Sequence, residues 1–394
     1  MTKEKRLGIF GFGTVGTGVY EAAESHRTRI EQLAGSYTIP VVVVQDETRQ
    51  RDVSSSTFVT SSVEALFASD LDTVVEAVPD AETAYPVVKR LLEAGISVVT
   101  ANKELIASHG EELHYLSAVH RAPLLYEAAV GGGIPVLSSI RHALKTNELT
   151  RVEGILNGTS NYILTRMKED DLAFNAALQE AQDLGYAEAS PEKDIDGWDV
   201  YYKVTILSWW IHGRNPVWQE PPTGIRGVTA EDLALAAGLG GTIKHVGRLE
   251  GTAASAAPVL VLPDHPLSGV SGVNNGVAVH GSISGPLLFQ GAGAGKFPTA
   301  GAVLEDVINL WTHTAEQEPP FLEERQEEDD DSSFPYWFIT GSGLRGLPSA
   351  VSPVYQQGHR EGVLVHLPEN EARKLGDSCF AVLGSRIPEV VSTC

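Results

Sequence analysis

Cysteine is almost missing from this 394-residue chain; Cys379 and Cys394, both near the C-terminus, are the only two. A disulfide framework and a cysteine-rich metal centre are thereby excluded, and the composition suits a reducing compartment. Basic charge is also short. Lys and Arg number 29 against 51 Asp and Glu, a formal net charge of −22. Such a surface repels phosphate backbones and excludes nucleic acid as a partner. No apolar run approaches the ~18 residues that cross a bilayer. Nor does a signal-like core precede the strand pattern at Leu7–Phe10, so a cytoplasmic protein with no membrane partner is expected. No HExxH or comparable spacing of metal ligands occurs, and the histidines are scattered. Lysine is scarce beside arginine. One reading is an acidic surface suited to high salt, where screening relieves self-repulsion; the other is simply an acidic enzyme.

What is present is apolar residue, 42% of the chain, enough to build real cores over a length suited to two or three domains. Short apolar strands at Leu7–Phe10, Pro40–Val44, Thr73–Val78, Ile96–Thr100 and Leu124–Glu127 alternate with helical stretches such as Ala81–Ala94. That alternation predicts a parallel sheet built from βαβ units. After Gly131-Gly-Gly133 the texture changes. Strands at Thr150–Leu156, Pro258–Leu262 and Gly276–His280 flank helices near Asn161–Lys168, Leu172–Leu184 and Gly197–His212, an α+β pattern. A helix over Thr299–Trp311 follows, then an acidic linker and a tail with strands at Pro335–Thr340, Gly362–Leu367 and Cys379–Leu383. The fold class is α/β: a Rossmann-type nucleotide domain (1–135 and 298–315), an α+β catalytic and dimerisation domain (136–297), a linker (316–332) and a small C-terminal α+β module (333–394).

The strongest local signal is Gly11-Phe12-Gly13-Thr14-Val15-Gly16, directly after a strand and opening a helix. Gly11 permits the tight turn, Gly13 lets backbone amides approach a pyrophosphate, and Gly16 allows close helix–strand packing. Asp46, past the second strand, is the candidate for binding the adenosine ribose; Arg49 and Arg51 would instead neutralise a 2′-phosphate, so NAD and NADP both stay open. The fourth strand delivers Asn102 and Lys103 to the end of the sheet where ligands bind. Asp196 reads as a helix N-cap, which places Asp199 and Lys203 on one helical face at i,i+4. Such a pair is either a plain salt bridge or a proton-transfer lysine oriented by a carboxylate. Asn157-Gly158-Thr159 reads as a turn between strand and helix, whose amide and hydroxyl could bind a carboxylate.

These stretches, with VVTANKELIA at 98–107, YEAAVGGGIPV at 126–136, GILNGTSNYIL at 154–164, EAQDLGYAEASPEKDIDGWDVYYK at 180–203, HPLSGVSGVNN at 265–275 and GAGAGKFPTAGAVLEDV at 291–307, resemble homoserine dehydrogenase. The resemblance implies reduction of L-aspartate 4-semialdehyde to L-homoserine with NADP or NAD as coenzyme, on the route to threonine, methionine and isoleucine. It makes Lys203 and Lys103 the active-site lysines and Asp199 the partner acid. It places Gly158, Thr159, Tyr186, Glu188 and Asp194 on substrate-binding positions and brings the loop at Gly293 back to the cofactor. It also implies a monovalent cation (Na+ or K+) at Glu127, Val130, Gly132 and Ile134, and a homodimer. Two departures stand out: Ser190 replaces a usual aspartate, and the tail has the size of a regulatory module but not its usual sequence pattern. Competing readings are an acylating aldehyde dehydrogenase, which needs a cysteine nucleophile, a non-catalytic cofactor sensor, and a dehydrogenase of another small amino acid.

Overall fold

The computed structural model describes residues 4–218, 220–312, 336–347, 349–352 and 354–385. The chain divides into two compact units: residues 1–145, 205–215 and 291–322 form one, and residues 146–204, 216–290 and 323–394 the other.

The first unit holds a six-stranded sheet of β1 (Lys5–Phe10), β2 (Tyr37–Val43), β3 (Phe58–Thr60), β4 (Thr73–Glu76), β5 (Ser97–Thr100) and β6 (Leu124–Leu125). Their order is β3-β2-β1-β4-β5-β6, and every pairing is parallel. This is the doubly wound order whose ligand crevice lies at the strand C-termini. Leu7, Ile9, Val42, Val74, Val75, Val98 and Val99 are buried, as expected of strands covered on both faces. The helix Ala81–Glu93 buries the stripe Ala84, Val87, Val88, Leu91 and Leu92 and is capped by Asp80, whose Oδ1 accepts from the Thr83 amide at 2.7 Å.

The boundary of this unit falls after Lys145 rather than at 135. The reason is local: the Glu127 carboxylate accepts from the amides of Leu137 (2.9 Å) and Ser138 (2.6 Å), tying the helix Val136–Ala143 to the preceding loop. The Trp210 indole adds a bond to the Leu137 carbonyl at 2.7 Å.

The second sheet contains β7 (Leu149–Ile155), β8 (Val217–Trp218), β9 (Thr242–Glu250), β10 (Ala253–Val261), β11 (Asn274–Gly281), β12 (Gly285–Ala292), β13 (Trp337–Gly341), β14 (Tyr355–Gln357), β15 (Arg360–Val365) and β16 (Ser378–Leu383). The order runs β12-β11-β7-β9-β10-β16-β13-β15-β14, with β8 beside β10. The tail is therefore not a separate module. β16 continues the sheet by parallel pairing with β10, from Val259↔Ala381 to Val261↔Leu383. Phe338, Leu364, Phe380 and Val382 share a core with Ile163, Leu233, Leu235 and Leu260. On the other side Trp337, Ile339, Val363 and Val365 share one with Ile155, Val246 and Val259. Polar bonds add to this. Asp232, fully buried in the capping box of the helix Ala230–Gly238, accepts from Thr340 Oγ1 at 2.6 Å and from Arg360 at 3.1 Å. The acidic linker expected at 316–332 lies outside the described residues. Among the described residues, no helix is long and apolar enough to cross a membrane.

Candidate active site

In the first unit the turn after β1 is dictated by glycine. Gly11 has φ +96°, and a Cβ there would meet the Ala77 carbonyl oxygen at 2.6 Å. A Cβ on Gly16 would come within 2.0 Å of the Gly11 oxygen, so the helix Thr14–Ser25 approaches the turn only without one. Around Gly13 nothing lies within 4 Å of a Cβ position. Gly13 is the N-cap of that helix and supplies no side-chain cap bond. The helix therefore presents its first amides and the positive end of its dipole to open space, an anion site. Thr14 is exposed, Phe12 and Val15 are half-buried, and Thr17 Oγ1 donates to the Phe12 carbonyl at 3.2 Å.

Asp46 and Arg49 are exposed past β2. Asp46 Oδ1 accepts from the amide and hydroxyl of Thr48 at 2.9 and 2.6 Å, which hold this carboxyl below its ordinary range. At the end of β5, Asn102 caps the helix Lys103–His120 through Oδ1 (Leu105 amide, 3.0 Å), and its Nδ2 donates to the Val78 carbonyl at 3.3 Å. Lys103 is the first residue of that helix and half-buried. On the neighbouring strand β4 lies a buried acid that sequence reasoning missed. Glu76, fully buried at the end of β4, is pushed up to about 7 by burial, against the pull of the Thr100 hydroxyl and Val78 amide. The Gly293 loop touches the segment 131–133: the Gly133 amide donates to the Ala292 carbonyl at 3.1 Å, and a Cβ on Gly132 would meet Gly293 O at 2.4 Å.

In the second unit a polar cluster surrounds the start of the helix Gly158–Glu169. Lys203 is buried, and its Nζ donates to Asp199 Oδ2 at 2.7 Å and to the Leu156 carbonyl at 2.5 Å. Asn157, read from sequence only as a turn residue, organises the acids. Its Oδ1 caps the helix at the Ser160 amide (2.7 Å), while Nδ2 donates to Asp194 Oδ1 (2.7 Å) and Asp199 Oδ2 (2.9 Å). Ser160 Oγ fixes Asp194 further through its carbonyl at 2.8 Å. The Thr159 hydroxyl donates to the Tyr186 carbonyl at 2.6 Å. Tyr186 and Glu188 are exposed nearby in sequence, and Gln182 holds the Glu188 carbonyl at 3.0 Å.

Asp196 is not the N-cap expected of it. It ends the short helix Glu192–Ile195 and pairs with Arg226, while Gly197 at φ +91° turns the chain into the helix Trp198–His212. Lys103 belongs to the first unit, and Asp199 and Lys203 to the second.

The scattered histidines include two that meet. His265 and His280 Nε2 lie 3.0 and 3.2 Å from Oε2 of the fully buried Glu153. Among the described residues these three are close enough together to suggest a metal centre. The ring tautomers argue otherwise. His265 Nδ1 accepts from the Leu267 amide at 3.3 Å and His280 Nδ1 faces Arg151 at 3.5 Å. The Leu267 bond leaves the His265 ring proton on Nε2, aimed at the carboxylate, where a metal would have to displace it. Arg151 and Arg248 also stand 3.5 Å from the same carboxylate. Burial pushes Glu153 up, but the two histidine bonds and Arg151 prevail and hold it well below the ordinary carboxylate range. The cluster fastens the loop after β10 to β7.

Known proteins resemble this chain over most of its length. Residues 135–308 match the family described as homoserine dehydrogenase, and residues 11–127 match the homoserine dehydrogenase NAD binding domain. The chain is 38% identical over 330 residues to a homoserine dehydrogenase of Synechocystis sp., covering 81% of this chain and 76% of that one. It is 36% identical over 315 residues to that of Lactococcus lactis subsp. lactis, covering 77% and 73%. Among solved structures, a homoserine dehydrogenase from Thiobacillus denitrificans superposes with a TM-score of 0.86 at 28% identity, covering 97% of this chain and 98% of that one. A hyperthermophilic archaeal homoserine dehydrogenase in complex with NADPH gives 0.67 at 28% identity, covering 78% and 97%.

Proposed function

The chain belongs to the homoserine dehydrogenase family, and on that premise we propose how its polar residues divide the work. The reaction is the NAD(P)-dependent reduction of L-aspartate 4-semialdehyde to L-homoserine, a step of amino-acid biosynthesis. When bound at the glycine turn, the reduced nicotinamide supplies a hydride to the aldehyde carbon. Lys203 Nζ gives a proton to the carbonyl oxygen, so the product is a primary alcohol and the side chain is left as an amine. The observation that carries this reading is the buried ammonium held by Asp199 Oδ2 at 2.7 Å and by the Leu156 carbonyl at 2.5 Å. A lysine is protonated at neutral pH and so serves as the acid in the reducing direction. Lys103 supplies a second cationic group that stabilises the developing oxyanion, an effect that is strong where water is excluded.

In this reading Asp194 and Glu188 hold the substrate ammonium, and the amides of Gly158 and Thr159 hold its carboxylate at a helix N-terminus. Asp46 and Arg49 serve the adenosine end of either coenzyme. A cytoplasmic site of action and a homodimer go with the same reading.

The monovalent cation that the family implies fits the segment Glu127–Ile134. The Glu127 side chain is engaged by helix amides, so the ligands fall to main-chain carbonyls of Glu127, Val130, Gly132 and Ile134, donors that suit a hard ion. Burial also pushes up Glu127 and its neighbour Asp306, the latter to about 8; a cation there would offset that cost and brace the loop. An acylating mechanism is disfavoured, because burial pushes the Cys379 thiol, in β16, up to about 12. Oxidation of NADH or NADPH on adding aspartate semialdehyde is the test. Folded protein that consumes neither coenzyme would overturn the assignment, and the ratio of the two rates sets the coenzyme preference.

A further inference from the structure

The carbonyl of Leu156 has a second donor. Besides Lys203 Nζ at 2.5 Å, it accepts from Asn275 Nδ2 at 2.8 Å, across the sheet from β11. We propose that Asn275 is a positioning residue for Lys203, acting through the Leu156 carbonyl; the proposal rests on Lys203 being the proton donor.

The argument begins with what can fix an ammonium on a four-carbon stem. Asp199 sits one turn away on the same helix and takes its outside reference at one remove, from Asn157 Nδ2 on its Oδ2. The Leu156 carbonyl contacts the ammonium directly from another element, just past the end of β7. A carbonyl oxygen has two lone-pair directions in one plane. A rigid amide donor on one of them determines where the other points.

Asn275 is rigid for reasons that can be traced. It is fully buried at the start of β11, next to the pairing of Gly276 with Ile155. The loop before it is pinned by Asn161, whose Nδ2 donates to the carbonyls of Asn274 (3.0 Å) and Val270 (3.5 Å). Asn161 is oriented in turn by the buried Lys244, which donates to its Oδ1 at 3.0 Å. Thr165 Oγ1 completes the brace, donating to the Asn161 carbonyl at 2.7 Å and accepting from the Gly272 amide at 3.2 Å.

A second observation separates this residue from a merely structural amide. Asn275 Oδ1 is buried and has no hydrogen-bond partner among the described residues. Burying an unused acceptor is unfavourable, and an apolar side chain would avoid it. What the asparagine supplies in exchange is the single N–H on the Leu156 carbonyl.

The test is steady-state kinetics of the full-length enzyme with aspartate semialdehyde and reduced coenzyme, on Asn275→Ala, Asn275→Asp, Lys203→Ala and the Asn275→Ala/Lys203→Ala double variant. Asn275→Ala is expected to lower kcat by about 10- to 100-fold, the scale of a misplaced catalytic group, with the coenzyme KM unchanged. The double variant should be no slower than Lys203→Ala alone. Asn275→Asp turns an acceptor toward the carbonyl and adds a negative charge beside the acids that already face Lys203: Asp199 directly and Asp194 through Asn157. It should lower kcat and move the alkaline limb of its pH profile upward, because a nearby carboxylate favours the ammonium. Equal fold-losses from Asn275→Ala with and without Lys203 would overturn the proposal, as would an unchanged limb in Asn275→Asp. If Asn275→Ala does not fold, Asn275→Ser carries the same cycle. Full turnover by Lys203→Ala would remove the proton-donor reading itself, and this inference with it.

Discussion

The two units hold their chemistry in different ways. The nucleotide-binding unit does so with backbone: the site at residues 11–16 is a turn and a helix end, and what matters there is the space left where side chains would be. The other unit does so with side chains from distant parts of the chain. Asn157 meets Asp194 and Asp199, Asn275 and Lys203 share Leu156, and Glu153 gathers His265 and His280. A backbone site tolerates any sequence that keeps the turn, whereas a side-chain network fails at single atoms. The first kind suits a feature common to many ligands, an anionic phosphate group. The second is suited to one reacting carbonyl.

Substitutions probe that contrast. Lys203→Ala should have the largest effect, lowering kcat by about 10²- to 10⁴-fold while coenzyme affinity, measured by fluorescence titration, stays as it was; a parallel loss of coenzyme binding would break the separation drawn here. Glu153→Ala strips two arginines and two histidines of a buried carboxylate and should cost about 3–5 kcal/mol in urea unfolding. The pH dependence sharpens this. The folded-state carboxyl is depressed, so its contribution is present above the ordinary carboxylate range and is lost as pH falls through the folded value. The variant should therefore lose less stability on acidification than the parent.

Gly16→Ala places a methyl against the Gly11 oxygen and should cost about 1–3 kcal/mol, read as roughly a 5- to 150-fold rise in coenzyme Kd with no change in the proton-transfer pH limb. Asp306→Asn is the mildest. Its carboxyl is raised from an ordinary 3.8 to about 8 by burial, so the folded state holds a proton that the unfolded state has lost, and stability falls as pH rises between those values. The amide keeps the acceptor for the Glu127 amide (2.8 Å in the parent). The slope of melting temperature against pH over that window should flatten.

The same contrast governs what could be read from sequence. Parallel strands such as Val41–Val43 and Thr73–Glu76 are near-continuous apolar runs, and the glycine turn is contiguous, so the nucleotide-binding unit was legible except for β3, three residues long. β9 was not, because its buried positions include Lys244 and His245, whose polarity hides the strand. β12 opens on Gly285-Pro286 and reads as a loop. The lysine–aspartate pair was legible from its spacing. Asn157 and Asn275 were not, since nothing local in a sequence marks which carbonyl an amide will reach. Nor does local pattern reveal that the tail strands join the catalytic sheet, because that pairing depends on residues as far apart as Val259 and Ala381.

That last pairing has a consequence for biosynthesis. As the chain leaves the ribosome, β10 emerges long before β16, and until the final strand arrives its outer edge stands open with unsatisfied amides and carbonyls. Such an edge invites pairing with another nascent chain. A message truncated after residue 312 would release a polypeptide that keeps Lys103, Asp199 and Lys203 and carries an adhesive seam along its sheet. Synthesis of residues 378–383 therefore works as a closure step for that edge, and chaperone demand should be concentrated in the interval before it.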